Sequence, residues 1–70
     1  MEKLYGNKEE ISKLFGVNIK TLNNDLTNMR RNPNFSPYVL RVSHKRTNIN
    51  ILGYEKYLQY KAENFTKSYL

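Results

Sequence analysis

The side chains with chemistry to offer are few and scattered. His44 is the one histidine and cysteine is absent. A disulfide framework, a thiolate zinc site and a cysteine nucleophile are therefore excluded, and a histidine-based metal site lacks partners. The carboxylates are Glu2, Glu9, Glu10, Asp25, Glu55 and Glu63, dispersed among polar residues at helix-like positions. Only Glu9 and Glu10 are neighbours, and consecutive helical residues point about 100° apart. General acid catalysis needs a carboxyl group whose pKa is shifted by burial, and none of the six is expected to be buried. Gly6, Gly16 and Gly53 stand singly, so no phosphate-cradling loop is present. The expectation is a protein that is not an enzyme, without catalytic residues, metal ligands or cofactor.

What the chain offers instead is amides, hydroxyls and cations. Twelve Lys and Arg against six Asp and Glu give a net charge of +6, and charge of one sign on a small body concentrates the opposite sign around it. The most informative run is Gly16-Val17-Asn18-Ile19-Lys20-Thr21-Leu22-Asn23-Asn24-Asp25-Leu26. It has the form G-V-(small polar)-x-x-T-L-x-x-x-L and resembles the turn and second helix of helix-turn-helix DNA-binding proteins. Glycine supplies a positive φ between the helices, Val17 plugs the gap they leave, and Asn18 caps the second helix. Leu22 and Leu26 are expected to pack on Ile11 and Leu14, with Ile19 leading the stripe. Lys20, Thr21, Asn23, Asn24, Thr27, Asn28 and Arg31 are left outside, with Asp25 the one acid among them. An asparagine amide can pair with adenine in bidentate fashion, while cations at the helix ends hold register on phosphates.

Positioning these groups requires elements before and after. Asn7 and Glu10 have capping-box spacing, and Ile11, Leu14 and Phe15 form the apolar face of a first helix that Gly16 ends in the left-handed conformation. The helix-turn-helix segment is thus 8–31. Pro33 and Pro37, with asparagines and a serine around them, break helicity. Residues 38–42 are β-branched and aromatic, and Asn48-Ile49-Asn50-Ile51 alternates with the period of a half-buried strand. Together they predict an antiparallel hairpin over about 38–51, with His44, Lys45 and Arg46 at its tip. The connection lacks glycine, which leaves the register open. No acid occurs between Asp25 and Glu55, whereas Arg30, Arg31, Arg41, Lys45 and Arg46 all fall in that span. The hairpin cations are expected to reach the DNA backbone or minor groove, although Lys and Arg also guard strand edges against aggregation. A closing helix is predicted over about 53–65, with Tyr54, Tyr57, Leu58, Ala62 and Phe65 on one face. That stripe reads as core rather than as a platform for stacking single strands. Tyr60 and Tyr69 lie off it and are expected to be exposed, and residues 66–70 to fray.

The fold class is therefore α+β: a small winged helix-turn-helix of three helices with a two-stranded antiparallel β-hairpin wing, filling residues 1–70 as one domain. In that order of elements the chain resembles the small excisionases of phages and conjugative elements, whose winged-helix domain is related to that of MerR-type regulators. The matching pieces are Glu9-Glu10-Ile11-Ser12-Lys13-Leu14-Phe15, Leu22, the wing from Arg41 to Ile51, and Tyr54-Glu55-Lys56-Tyr57-Leu58. The resemblance implies a sequence-specific double-stranded DNA-binding protein that binds and bends DNA near an attachment site, with a tyrosine-recombinase integrase as protein partner. DNA contacts are then expected from Asn18, Lys20, Thr21, Asn23, Asn24, Thr27 and Asn28 on the recognition helix. Phosphate and wing contacts are expected from Arg30, Arg31, Arg41, His44, Lys45 and Arg46. A small phage or mobile-element transcriptional regulator is the alternative; a protein-interaction module or inhibitor, resting on exposed tyrosines, is a further one. No apolar run approaches the roughly 18 residues of a membrane span and no signal-type segment is seen. The expected setting is the cytoplasm of a bacterial or phage-infected cell, as a monomer or a weakly self-associating chain on DNA.

Overall fold

The computed structural model describes residues 4–43 and 46–69. Strand β1 (Tyr5–Gly6) leads into helix α1 (Lys8–Phe15) and helix α2 (Ile19–Arg31). A 3-10 turn over Ser36–Tyr38 follows, then strand β2 (Val39–Ser43), strand β3 (Arg46–Asn50) and helix α3 (Ile51–Tyr69). The fold is the expected small α+β arrangement of three helices and an antiparallel sheet, consistent with a winged helix. The sheet has three strands rather than two, in the order β1-β3-β2. The lead-in supplies the third: Tyr5 pairs with Asn50 and Gly6 with Ile49, and the Ile51 amide donates to the Leu4 carbonyl at 3.0 Å.

The helix ends follow from local chemistry. The Asn7 side chain accepts from the Glu10 amide at 2.8 Å and the Glu10 carboxylate accepts from the Asn7 amide at 3.1 Å, which closes the capping box. Gly16 sits at φ 67°, ψ 33°, the left-handed region in which a side chain is strained. The Ser12 carbonyl accepts from both the Gly16 and Val17 amides, and the Ser12 hydroxyl donates to the Val17 carbonyl. The turn between the helices is thereby locked by backbone. Asn18 caps α2, its Oδ1 accepting the Thr21 amide at 2.7 Å.

The hairpin pairs Val39 with Ile49, Leu40 with Asn48, Arg41 with Thr47 and Ser43 with Arg46, with a bulge between Arg41 and Ser43 that sets the register. Helix α3 begins two residues earlier than expected, because the Asn50 side chain accepts the Gly53 amide at 2.7 Å and caps it. It continues through Tyr69, past the expected end at 65. Gly53 falls inside its first turn, where a Cβ would run into the Tyr38 ring.

The core joins Ile11, Leu22, Leu26, Met29, Phe35, Val39, Ile49, Tyr54 and Tyr57. Phe15 meets Tyr54 edge-on with ring centroids 5.0 Å apart, and Phe35 meets Tyr57 at 5.3 Å. Four expected core residues lie outside it, Ile19 at the start of α2 among them. Leu14 is 61% exposed, since α1 is only two turns long and buries Ile11 instead. Ala62 and Phe65 are exposed because the last turns of α3 run beyond the core residues Tyr54 and Tyr57.

Candidate nucleic-acid interface

Helix α2 presents two opposed faces. Leu22, Asp25, Leu26 and Met29, at i, i+3, i+4 and i+7, are buried. Lys20, Asn24, Thr27 and Arg31, at i, i+4, i+7 and i+11, lie on the other side, flanked by Asn23 and Asn28. All are exposed except Thr27, which is half-buried.

The structure corrects the expectation for Asp25. It is 2% exposed and faces inward, accepting from the Tyr54 hydroxyl at Oδ2 (2.8 Å) and from Lys61 Nζ at Oδ1 (2.7 Å). The carboxylate thus bolts α2 to α3, and a buried charge is tolerated because both oxygens are paired. Burial raises the Tyr54 hydroxyl pKa, and the hydrogen bond to Asp25 raises it further. The signal was in the spacing: Asp25 stands three residues after Leu22 and one before Leu26, inside the apolar stripe. The consequence for the interface is electrostatic. The outward face of α2 carries Lys20, Arg30 and Arg31 and no acid.

The expected contact residues separate into groups. Asn18 is committed to its cap, and Thr21, half-buried, supplies the amide that completes it. The Asn28 amide is turned toward the Tyr57 hydroxyl, where hydrogen bonding opposes the rise in that group's pKa caused first by burial and then by the Asp25 charge. The Thr27 hydroxyl donates to the Asn23 carbonyl at 3.0 Å, and Arg30 reaches the same hydroxyl at 3.5 Å. Among the described residues no hydrogen bond engages the side-chain amides of Asn23 and Asn24. Ile19, expected to lead the buried stripe, is 42% exposed. It is the first residue of α2, where the helix has turned away from the core.

On the wing, Arg41 and Arg46 are exposed. Arg41 pairs with Thr47 on the sheet face that carries Val39 and Ile49, and alternation puts Arg46 on the opposite face. Arg46 lines an open groove of about 600 Å³ with Tyr5 of β1 and with Lys8 and Glu9 at the start of α1. The two cations therefore flank the ribbon rather than forming one patch. His44 and Lys45, expected at the tip, lie outside the described residues. Tyr60 is exposed, as expected, at 43%, with its ring tilted against Phe35 at 5.1 Å. No helix among the described residues is long and apolar enough to cross a membrane.

These features define a small winged-helix α+β domain with a basic, amide-bearing second helix. Comparison of the chain with protein-family models, curated proteins and solved structures finds no match.

Proposed function

We propose that this protein binds double-stranded DNA sequence-specifically, inserting α2 into the major groove while the wing cations meet the backbone beside it. The observation that carries this reading is the acid-free outward face of α2, left cationic by the inward turn of Asp25. At 1.5 Å per residue its 13 residues span about 20 Å, and a major groove about 12 Å wide admits such a helix. Arg30 and Arg31 occupy the last turn, where they suit phosphates, and the first two turns are left for base edges. The test is anisotropy titration of short duplexes against salt. Contacts with about five phosphates give a log–log slope near −4.5; absence of salt-sensitive duplex binding at low ionic strength would count against the proposal.

Within that reading the role is of excisionase type: the protein bends the duplex near an attachment site so that a tyrosine-recombinase integrase is biased toward excision. The support is the resemblance of the 9–15, 41–51 and 54–58 segments together with the wing beside the helix-turn-helix. Bending costs roughly 1–6 kcal/mol, offset by the contacts it permits. Bend angles from end-labelled duplexes, and the number of adjacent sites occupied, decide the point. A single undistorted site at a promoter would favour a small transcriptional regulator. The protein-interaction alternative rests on Tyr60, which is exposed although its ring lies against Phe35, and it predicts little salt-sensitive duplex binding.

A further inference from the structure

Five of the eleven positions from Asn18 to Asn28 need separating by what their side chains already do. Asn18 is spent on the helix cap, and Asn28 is turned toward Tyr57 on the flank nearest α3. Asn23 and Asn24 remain, exposed and without a hydrogen bond to their amides among the described residues. Ile19 is apolar, branched and 42% exposed. It stands four residues before Asn23, so the two side chains are neighbours on the helix surface.

We propose that Ile19, Asn23 and Asn24 together form an A·T-reading element, so that the duplex bound by this protein carries A·T pairs under the first two turns of α2. The inference rests on the DNA-binding reading above and deepens it. A carboxamide offers one acceptor and one donor side by side, the complement of adenine N6–H and N7 in the major groove. The other half of an A·T pair presents the thymine C5-methyl there, which apolar side chains contact. The Asn23 amide beside the exposed Ile19 therefore matches both halves of one base pair, and Asn24, about 100° further round the helix, is placed for an adjacent one. Guanine is read best by bidentate Arg or Lys. The arginines of α2 stand in its last turn, and Lys20 is the single cation in its first two. The helix N-terminal half is where recognition helices meet base edges, and the three residues lie within it.

The experiment uses the full chain and a random duplex library, followed by base analogues in the selected site. Selection is expected to enrich A·T pairs at the most constrained steps. Replacing the contacted adenine by 7-deazaadenine removes N7 and weakens wild-type binding by roughly tenfold. The same analogue leaves Asn24→Ala or Asn23→Ala, whichever residue holds that base, unchanged. Replacing thymine by deoxyuridine removes the methyl and weakens the wild type but not Ile19→Ala. Because the analogues act on unaltered protein, a misfolded variant does not decide the outcome. Constrained G·C steps, or indifference of the wild type to both analogues, would overturn this inference and leave duplex binding standing. Loss of all salt-sensitive duplex binding would overturn both.

Discussion

Replacing Asp25 with alanine removes the acceptor of two hydrogen bonds that tie α2 to α3. Tyr54 is 0% exposed, so its hydroxyl is left buried with no acceptor, a loss of about 1–3 kcal/mol. Lys61 is 49% exposed on its side chain; its ammonium returns to water and adds less than about 1 kcal/mol. Alanine is the better helix former by up to about 0.7 kcal/mol, which offsets part of this. The net loss is then about 1–3 kcal/mol in a domain of 70 residues, whose whole stability is of order 4–10 kcal/mol. At about 4–8 °C per kcal/mol, Tm falls by roughly 5–20 °C.

The same logic makes Tyr54→Phe destabilising, since it leaves a buried carboxylate with one partner fewer. Combining Asp25→Leu with Tyr54→Phe removes both polar groups at once and should recover much of the loss, because an apolar pair leaves nothing unsatisfied. Guanidinium denaturation followed by circular dichroism of Asp25→Leu, Tyr54→Phe and the double variant, with m held common, gives the cycle. A change below about 0.5 kcal/mol for Asp25→Ala, a surface-like value, together with additivity in the double variant, would refute the buried link. It would also return an acid to the face offered to phosphates, and the electrostatic case for α2 would weaken with it.

Tyr54 and Tyr57 are both held above the ordinary tyrosine pKa of 10.0, first by burial and then through Asp25. Their protonated forms favour the folded state, so this stability is fully present below pH 10.0 and is lost as the pH rises toward the folded values. Unfolding midpoints should fall on the alkaline side, less steeply in Tyr54→Phe, and a flat profile would contradict the burial. Gly53→Ala should destabilise by about 1–3 kcal/mol through the clash with Tyr38, read as a lower denaturation midpoint. Asn50→Ala should lose about 0.5–2 kcal/mol with the α3 cap, most visibly as faster amide exchange in its first turn. Arg31→Ala should weaken binding to all duplex sequences alike and make the salt slope shallower by about 1, as measured by anisotropy.

Much of the fold was legible because its signals are local. Asn7 with Glu10, Gly16 and Asn18 each act within a few residues, and all three behave as their spacing predicts. The third strand was not legible: Tyr5–Gly6 is two residues long and exists only because β3 offers a free edge. The start of α3 was missed because Asn48-Ile49-Asn50-Ile51 alternates like a strand across the point where Asn50 changes from ladder residue to helix cap. Phe35 was hidden by its setting among turn residues, yet it is core. For the site, the helix face was readable from type and spacing, but its sign was not. Whether Asp25 joined the outer face depended on Tyr54 and Lys61, 29 and 36 residues away in sequence.

The asparagine bias of the chain shows why composition alone does not define such a surface. Of ten asparagines, Asn7, Asn18 and Asn50 cap helices, and Asn32 accepts the Asn34 amide in the turn after α2. Those amides satisfy backbone groups that would otherwise lack partners, and their positions follow from where the chain starts helices and turns. Asn23 and Asn24 sit mid-helix, where asparagine is a mediocre helix former and no orphan backbone group awaits it. Local folding chemistry therefore gives no reason for two amides there, whereas it gives one for Asn7, Asn18, Asn32 and Asn50. In the DNA-binding reading proposed above, those two amides are left for a base edge, on the outward side of α2 that the Asp25 link clears of its acid.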